Sequence, residues 1–250
     1  MRAWIRGACC AVMALAGALV YEGAAAQPGV EAGAMTHGYI EVYGAVGKPG
    51  RILLQNPYLA LGDVLTLAGG YTADAYLFGA VLLRAARHGI QTGRDCLPAA
   101  ERQALEVLRA ATADARSEEI ATAILGHELY RVPLRLSPAE LAGDAAGQVT
   151  LLDGDILIVP PRPAHVYTAG AVGRAGPILY EPGRLAEDYL DAAGGRDRWL
   201  SGSDWMVLPN GELRPLGLRF WNYRATAVPP GALLIFDADD SGICVGPTAR

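Results

Sequence analysis

Lysine is almost missing from this chain. Of 21 basic residues, all but Lys48 are arginine, and 26 acidic residues outnumber them, for a formal net charge of -5. Nucleic acid selects a concentrated basic face, and scattered arginines in an acidic chain do not supply one, so no nucleic-acid partner is expected. Cysteine is scarce too: the 250 residues hold 4, with no C-x-x-C pair. His37, His88, His127 and His165 stand singly. Metal-ligand spacing is therefore lacking, and no metal or cofactor is expected. There is no G-x-S-x-G, and Ser and His are too sparse to suggest a catalytic triad. Long apolar runs are also lacking. A spanning helix needs roughly 18 or more apolar residues in a row, and the longest run, Ala8 to Val20, falls short. What the chain does have is apolar bulk: it is 52% hydrophobic and 19% charged, which excludes a disordered chain.

The first 26 residues read as a secretory signal peptide. Arg2 and Arg6 form a positive start, Ala8 to Val20 an apolar centre, and Ala24 to Ala26 offer small residues before a cut at Gln27. A soluble exported protein is expected, with no transmembrane segment in the mature chain. Of its two remaining cysteines, Cys96 and Cys244, the distance in sequence favours free, half-buried thiols over a disulfide.

The strongest internal signal is a repeat. The ten residues from Gly44 to Leu53 match those from Gly170 to Leu179 at an offset of 126. After a one-residue slip, Pro57, Asp63, Leu65 and Ala68 to Gly70 meet Pro182, Asp188, Leu190 and Ala193 to Gly195. A period this long means two copies of one small domain, because solenoid repeats run ~20–50 residues. Each copy reads as strand, turn, strand, a short helix stopped by a Gly pair, then two more strands. Pro209 to Glu212 reads as a hairpin turn by the Asn-Gly rule. A small sheet crossed by one helix is the β-grasp, or ubiquitin-like, plan. The expected fold class is α+β, with tandem β-grasp domains.

The first copy carries an insert at about 95–130. Pro98 to Ala115 has the composition of a strong helix, with Leu105 and Leu108 on one face. Ser117 is placed to cap a second helix, with Ile120, Ile124, Leu125 and Leu129 as its apolar face. Arg131 to Leu136 reads as a returning strand, and Ser137 to Glu140 as a capping box with proline at its first helical position. The expected boundaries are a first domain over 37–163 with this helical hairpin inserted, a second domain over 164–237, and a flexible tail over 238–250.

In their order along the chain, these features resemble the SLBB (soluble-ligand-binding β-grasp) domains of bacterial polysaccharide export proteins, and more closely the GfcC-type capsule-biosynthesis family. The resemblance rests on the paired Gly-Ala-Val strands, the Ala-Gly-Gly helix ends and the inserted hairpin. It also rests on Arg131 to Leu134 after the hairpin, Pro160 to Pro163 between the domains, and Trp221-Asn222 ahead of Pro229 to Gly231. It implies a periplasmic, non-enzymatic accessory protein for capsule or exopolysaccharide assembly or export, without a cofactor. Its partners would be a polysaccharide or periplasmic and outer-membrane export proteins. It also implies that Arg131 is central to the structure. Tyr130 stands where the family usually has Gly, and residues 237–250 cannot supply the amphipathic C-terminal helix that some members carry.

Two alternatives stay open: a periplasmic enzyme that modifies the polymer, and a subunit of an oligomeric export pore. No residue is singled out as catalytic or metal-binding. Arg131, Trp221 and Asn222 are the candidate binding or structural centre. A guanidinium is a rigid fork of five donors, suited to tying the hairpin to the core or to meeting an anionic ligand. Trp199, Trp205, Trp221 and Tyr223 could stack on sugar rings, but each reads first as packing. Asp237, Asp239 and Asp240 read as a solvated acidic tail, and Asp153 to Asp155 as a turn.

Overall fold

A computed structural model describes residues 38–86, 97–112, 114–142, 149–196, 202–238 and 243–244. The expected signal peptide and Cys96 lie outside the described residues. The chain forms β1 (Tyr39–Gly44), β2 (Gly50–Leu53), β3 (Tyr58–Ala60) and helix α1 (Leu61–Leu67). A helical turn at Leu77–Gly79 precedes β4 (Val81–Ala85). Next come β5 (Leu97–Pro98), α2 (Ala99–Ala111), α3 (Ala115–Leu125), β6 (Leu129–Val132) and α4 (Pro138–Ala142). Two short strands, β7 (Thr150–Leu152) and β8 (Ile156–Val159), complete the first half. The second half holds β9 (His165–Gly170), β10 (Gly176–Leu179), α5 (Ala186–Ala192), β11 (Asp204–Val207), β12 (Leu213–Leu216) and β13 (Leu233–Phe236). The last described strand is β14 (Ile243–Cys244). The fold is α+β.

The repeat becomes two five-stranded sheets with the same plan. One runs β2-β1-β8-β4-β6, the other β10-β9-β13-β11-β12. In each, the first strand pairs antiparallel with the second and parallel with the last, and the remaining pairs are antiparallel. The register is also preserved: Glu41 lies opposite Ile156 as Tyr167 lies opposite Leu233. Both sheets belong to one compact unit, His37–Arg250.

The paired glycines have a steric cause. Gly44 has φ of 86°, and a Cβ there would stand 2.1 Å from the Val159 carbonyl oxygen. Gly170 repeats this with φ of 91° and 2.0 Å to the Phe236 oxygen. Real Cβ atoms do not approach that closely, so the parallel strand pair requires glycine at this point in both copies.

Each sheet buries both faces. One face of the first sheet packs Ile40, Val42, Leu82 and Leu157 against Leu61, Val64 and Leu65 of α1. Its other face packs Val81, Leu83, Ile156 and Ile158 against Leu105 and Leu108 of α2 and Ile120 and Ile124 of α3. The second sheet packs Val166, Met206, Leu234 and Phe236 against Ala186 and Tyr189 of α5. Its opposite face gathers Ala169, Val207, Leu233 and Ile235 around Ala99, the first residue of α2. Helix α2 therefore belongs to the cores of both halves.

Several local expectations are corrected. Asp114, not Ser117, caps α3: its side chain accepts from the Ser117 amide at 2.8 Å. The strand expected over Arg131 to Leu136 stops at Val132, because Pro133 has no N–H for the ladder. The tail expected to be flexible from residue 238 is tied back where β14 pairs with β5, Ile243 opposite Leu97. Cys244 is disulfide-bonded rather than free. Asp237, expected in solvent, is fully buried, with Arg196 at 2.8 Å and Arg219 at 2.8 Å. Asp155 is also more than a turn residue: it is buried and accepts both arms of the Arg84 fork, at 2.8 and 2.7 Å.

Candidate functional site

Strand β6 brings Arg131 into the seam between the two halves. It is 5% exposed. Its Nη2 donates to the Pro209 carbonyl at 2.6 Å and to the Ala80 carbonyl at 3.3 Å, and its Nη1 donates to Gln103 Oε1. Gln103, fully buried on α2, donates onward through Nε2 to the Gly231 carbonyl at 3.0 Å. The Arg131 backbone amide donates to Glu101 Oε1 at 3.1 Å. The acceptors come from the approach to β4, from α2 and from the β11–β12 turn. One guanidinium thus joins three elements that are distant in sequence.

Gly211 makes room for this. It sits in the β11–β12 turn with φ of 87°, and a Cβ there would stand 2.8 Å from Arg131 Nε. That Nε is buried and has no hydrogen-bond partner among the described residues. Burial pushes the Arg131 guanidinium down to about 9, and the nearby charge of Glu101 pulls it back up. The terminal nitrogens of the fork face protein acceptors, and the remaining nitrogen lies under Gly211. This geometry is that of a tie.

Gln103, Glu101 and Pro209 were not among the expected site residues, although a signal for one existed. Ala99, Gln103 and Val107 form an i, i+4, i+8 row on α2, and all three are buried. A glutamine within an apolar helical row marks a buried polar contact that has to be satisfied.

Trp221 and Asn222 sit elsewhere, in the loop between β12 and β13. Trp221 is 65% exposed and Phe220 92%, so of the core or rim packing expected for Trp221 the core is excluded. Their rings meet edge to face at 4.8 Å, and the Arg219 guanidinium lies 5.5 Å from the Trp221 ring. Asn222 is a turn residue: its Oδ1 accepts from the Arg219 amide at 3.0 Å. Arg219 anchors the loop, donating to Asp237 and to the Gly202 carbonyl at 2.6 Å. The aromatic tip is therefore presented outward from a fixed base. Tyr223 is exposed and its hydroxyl donates to Glu187, while Trp205 is half-buried in β11 and packs within the second sheet's α2-side cluster. Trp199 lies outside the described residues.

A second buried charge sits between β1 and α3. Glu41 is 2% exposed, accepting from the Tyr43 hydroxyl at 2.6 Å and from Arg116 at 3.1 and 3.2 Å. Burial alone would raise its carboxyl, but the bonds from Tyr43 and Arg116 hold it below its usual 4.5. Burial and the Glu41 carboxylate push the Tyr43 hydroxyl up to about 12.

No protein-family model matches the chain. Among curated proteins it is similar to "Uncharacterized protein YjbG" of Escherichia coli (strain K12), with 29% identity over 115 residues. The match covers 44% of this chain and 45% of that protein, so less than half of the relative's length is spanned. Among the described residues no helix is long and apolar enough to cross a membrane.

Proposed function

We propose that this chain is a non-enzymatic periplasmic accessory protein of capsule or exopolysaccharide assembly or export, of the GfcC type. It is exported by its signal peptide and built of two tandem β-grasp domains, 37–163 and 164–237. It acts by binding a glycan or a protein of the export machinery. The observation that carries the reading is the way the halves are joined. Two sheets of the same strand order share one inserted helix, and Arg131 fastens that helix to the β11–β12 turn. This is the organisation implied by the family resemblance, with its central arginine.

Affinity electrophoresis tests the reading, with the mature chain run through gels cast with the host's own surface polysaccharide. Retardation without shortening of the polymer is the expected result. Progressive shortening would replace the binding reading with an enzymatic one. An unretarded chain, together with unchanged surface polysaccharide in a strain lacking the gene, would remove the export reading.

A further inference from the structure

The repeat builds not only two sheets but two clefts. In each copy the turn between the first and second strand borders a cavity, and in each case α2 or its end supplies another wall. The first cleft, about 650 Å³, lies between Gly44, Pro49 and Gly50 on one side and Thr112 and Asp114 on the other. The second, about 370 Å³, lies between Gly170, Ala175 and Gly176 on one side and Arg102 and Glu106 on the other. Gly44 and Gly50 correspond to Gly170 and Gly176 at the same offset of 126. The second cleft is the more enclosed, and it sits where the inserted helix meets the second sheet. Ligand sites are commonly found at such junctions, and its size falls within the ~300–1,000 Å³ typical of them.

Its chemistry is specific. Arg102 Nε is buried and has no hydrogen-bond partner among the described residues. Arg102 Nη2 lies 3.6 Å from Glu106 Oε1, beyond hydrogen-bond reach, whereas Arg109 donates to that same oxygen at 3.2 Å. Glu106 Oε1 is thus hydrogen-bonded by Arg109 rather than by Arg102, which leaves the terminal nitrogens of Arg102 with donors to offer. Tyr167, half-buried, supplies an aromatic ring and a hydroxyl, and Leu97 and Leu233 supply apolar wall. Burial and the Glu106 charge raise the Tyr167 hydroxyl above its ordinary value, against the opposing charge of Arg109, so it keeps its proton at neutral pH.

We propose that this cleft binds an acidic saccharide unit, a hexuronate ring of an anionic glycan. The sugar carboxylate meets the Arg102 fork, ring hydroxyls donate to Glu106, and the apolar face of the pyranose lies on Tyr167. Arg102 lines the cleft held only by a 3.6 Å ion pair to Glu106, and a planar carboxylate complements the terminal nitrogens of such a fork. A neutral sugar would offer single hydroxyl oxygens in place of a charged, two-pronged acceptor and would bind more weakly. The inference rests on the glycan-binding reading above and deepens it.

The test is titration calorimetry of the mature chain with oligogalacturonate and with a neutral hexose oligomer of the same length. Oligogalacturonate should bind at least tenfold more tightly than the neutral oligomer. Arg102→Gln should lose at least tenfold for oligogalacturonate and abolish the preference, with an unchanged melting temperature, since the position is half-exposed on a helix. Tyr167→Leu should weaken both sugars. Equal oligogalacturonate binding by wild type and Arg102→Gln would overturn the site while leaving glycan binding intact. A chain that is retarded by the host polysaccharide but binds neither oligomer would likewise overturn this cleft alone. Failure with the oligomers and the host polymer together would remove both readings.

Discussion

The guanidinium of Arg131 donates to the Pro209 carbonyl at 2.6 Å across 78 residues of chain. One end of this bond is a strand of the first sheet, and the other is the hairpin turn of the second. Among the described residues no carboxylate accepts from the guanidinium; its acceptors are carbonyl oxygens of the backbone and of Gln103. The buried charge is therefore solvated by dipoles, with Glu101 as a nearby counter-charge, which makes its surroundings sensitive to small changes of shape.

Arg131→Lys is expected to destabilise the protein by about 3 kcal/mol, since an ammonium cannot span three acceptors and each charged hydrogen bond contributes roughly 1.5–3 kcal/mol. Urea unfolding with an unchanged slope would measure this. A loss under about 0.5 kcal/mol, the range of ordinary surface substitutions, would remove the tie.

Gly211→Ala is expected to act on the same contact from the other side. The new methyl would meet the Arg131 side chain, and the positive φ adds roughly 1–2 kcal/mol of strain. The two substitutions should be non-additive in a double-mutant cycle, with a coupling of about 1 kcal/mol or more. Simple additivity would mean that the turn and the arginine are independent.

Acid should loosen the contact between β1 and α3. The Glu41 carboxyl is depressed in the folded state, so its contribution is present above its ordinary value of 4.5 and is lost as pH falls through the lower folded value. Glu41→Gln should lower the melting temperature at neutral pH and flatten its decline between about pH 5 and pH 3. A parallel decline in wild type and variant would exclude Glu41 as a source of acid sensitivity.

Peptide mapping without reductant is expected to place Cys244 in a linked peptide. Strand β14 lies beside β5, whose first residue, Leu97, follows Cys96 directly in sequence, so Cys96 is the expected partner. Cys244→Ser should cost about 2–4 kcal/mol. Recovery of an unlinked Cys244 peptide would contradict the disulfide.

Much of this architecture was legible because the chain states it twice. The Gly44 and Gly170 positions, the Gly pairs after α1 and α5, and the Asn-Gly turn each reflect a local backbone requirement that only a few residues meet. Helix α2 and the apolar stripe of α3 were legible from composition and period. What could not be read was long-range pairing of charge. Asp237 stands in a run of acids that looks solvated, and only the fold shows that Arg196 and Arg219 converge on it. The cap of α3 moved from Ser117 to Asp114 because both residue types favour caps, and spacing alone does not choose between them. Trp221 reads as core or rim packing by residue type, and only the fold shows that the loop carrying it is fastened by Arg219 with its aromatic tip outward.

Helix α2 has a further consequence, for folding. Its Leu105 and Leu108 complete the apolar face of the first sheet, its Ala99 completes that of the second, and Gln103 bonds across the seam. Neither half can cover its sheet without the same thirteen-residue segment, Ala99–Ala111. Although the chain repeats itself, the halves should unfold as one cooperative block, in a single transition seen alike by fluorescence and circular dichroism. A cut at the Pro160 to Pro163 link would then leave α2 with the first fragment and strip the second of the cover on one face of its sheet, so that the second fragment is recoverable only in the presence of the first.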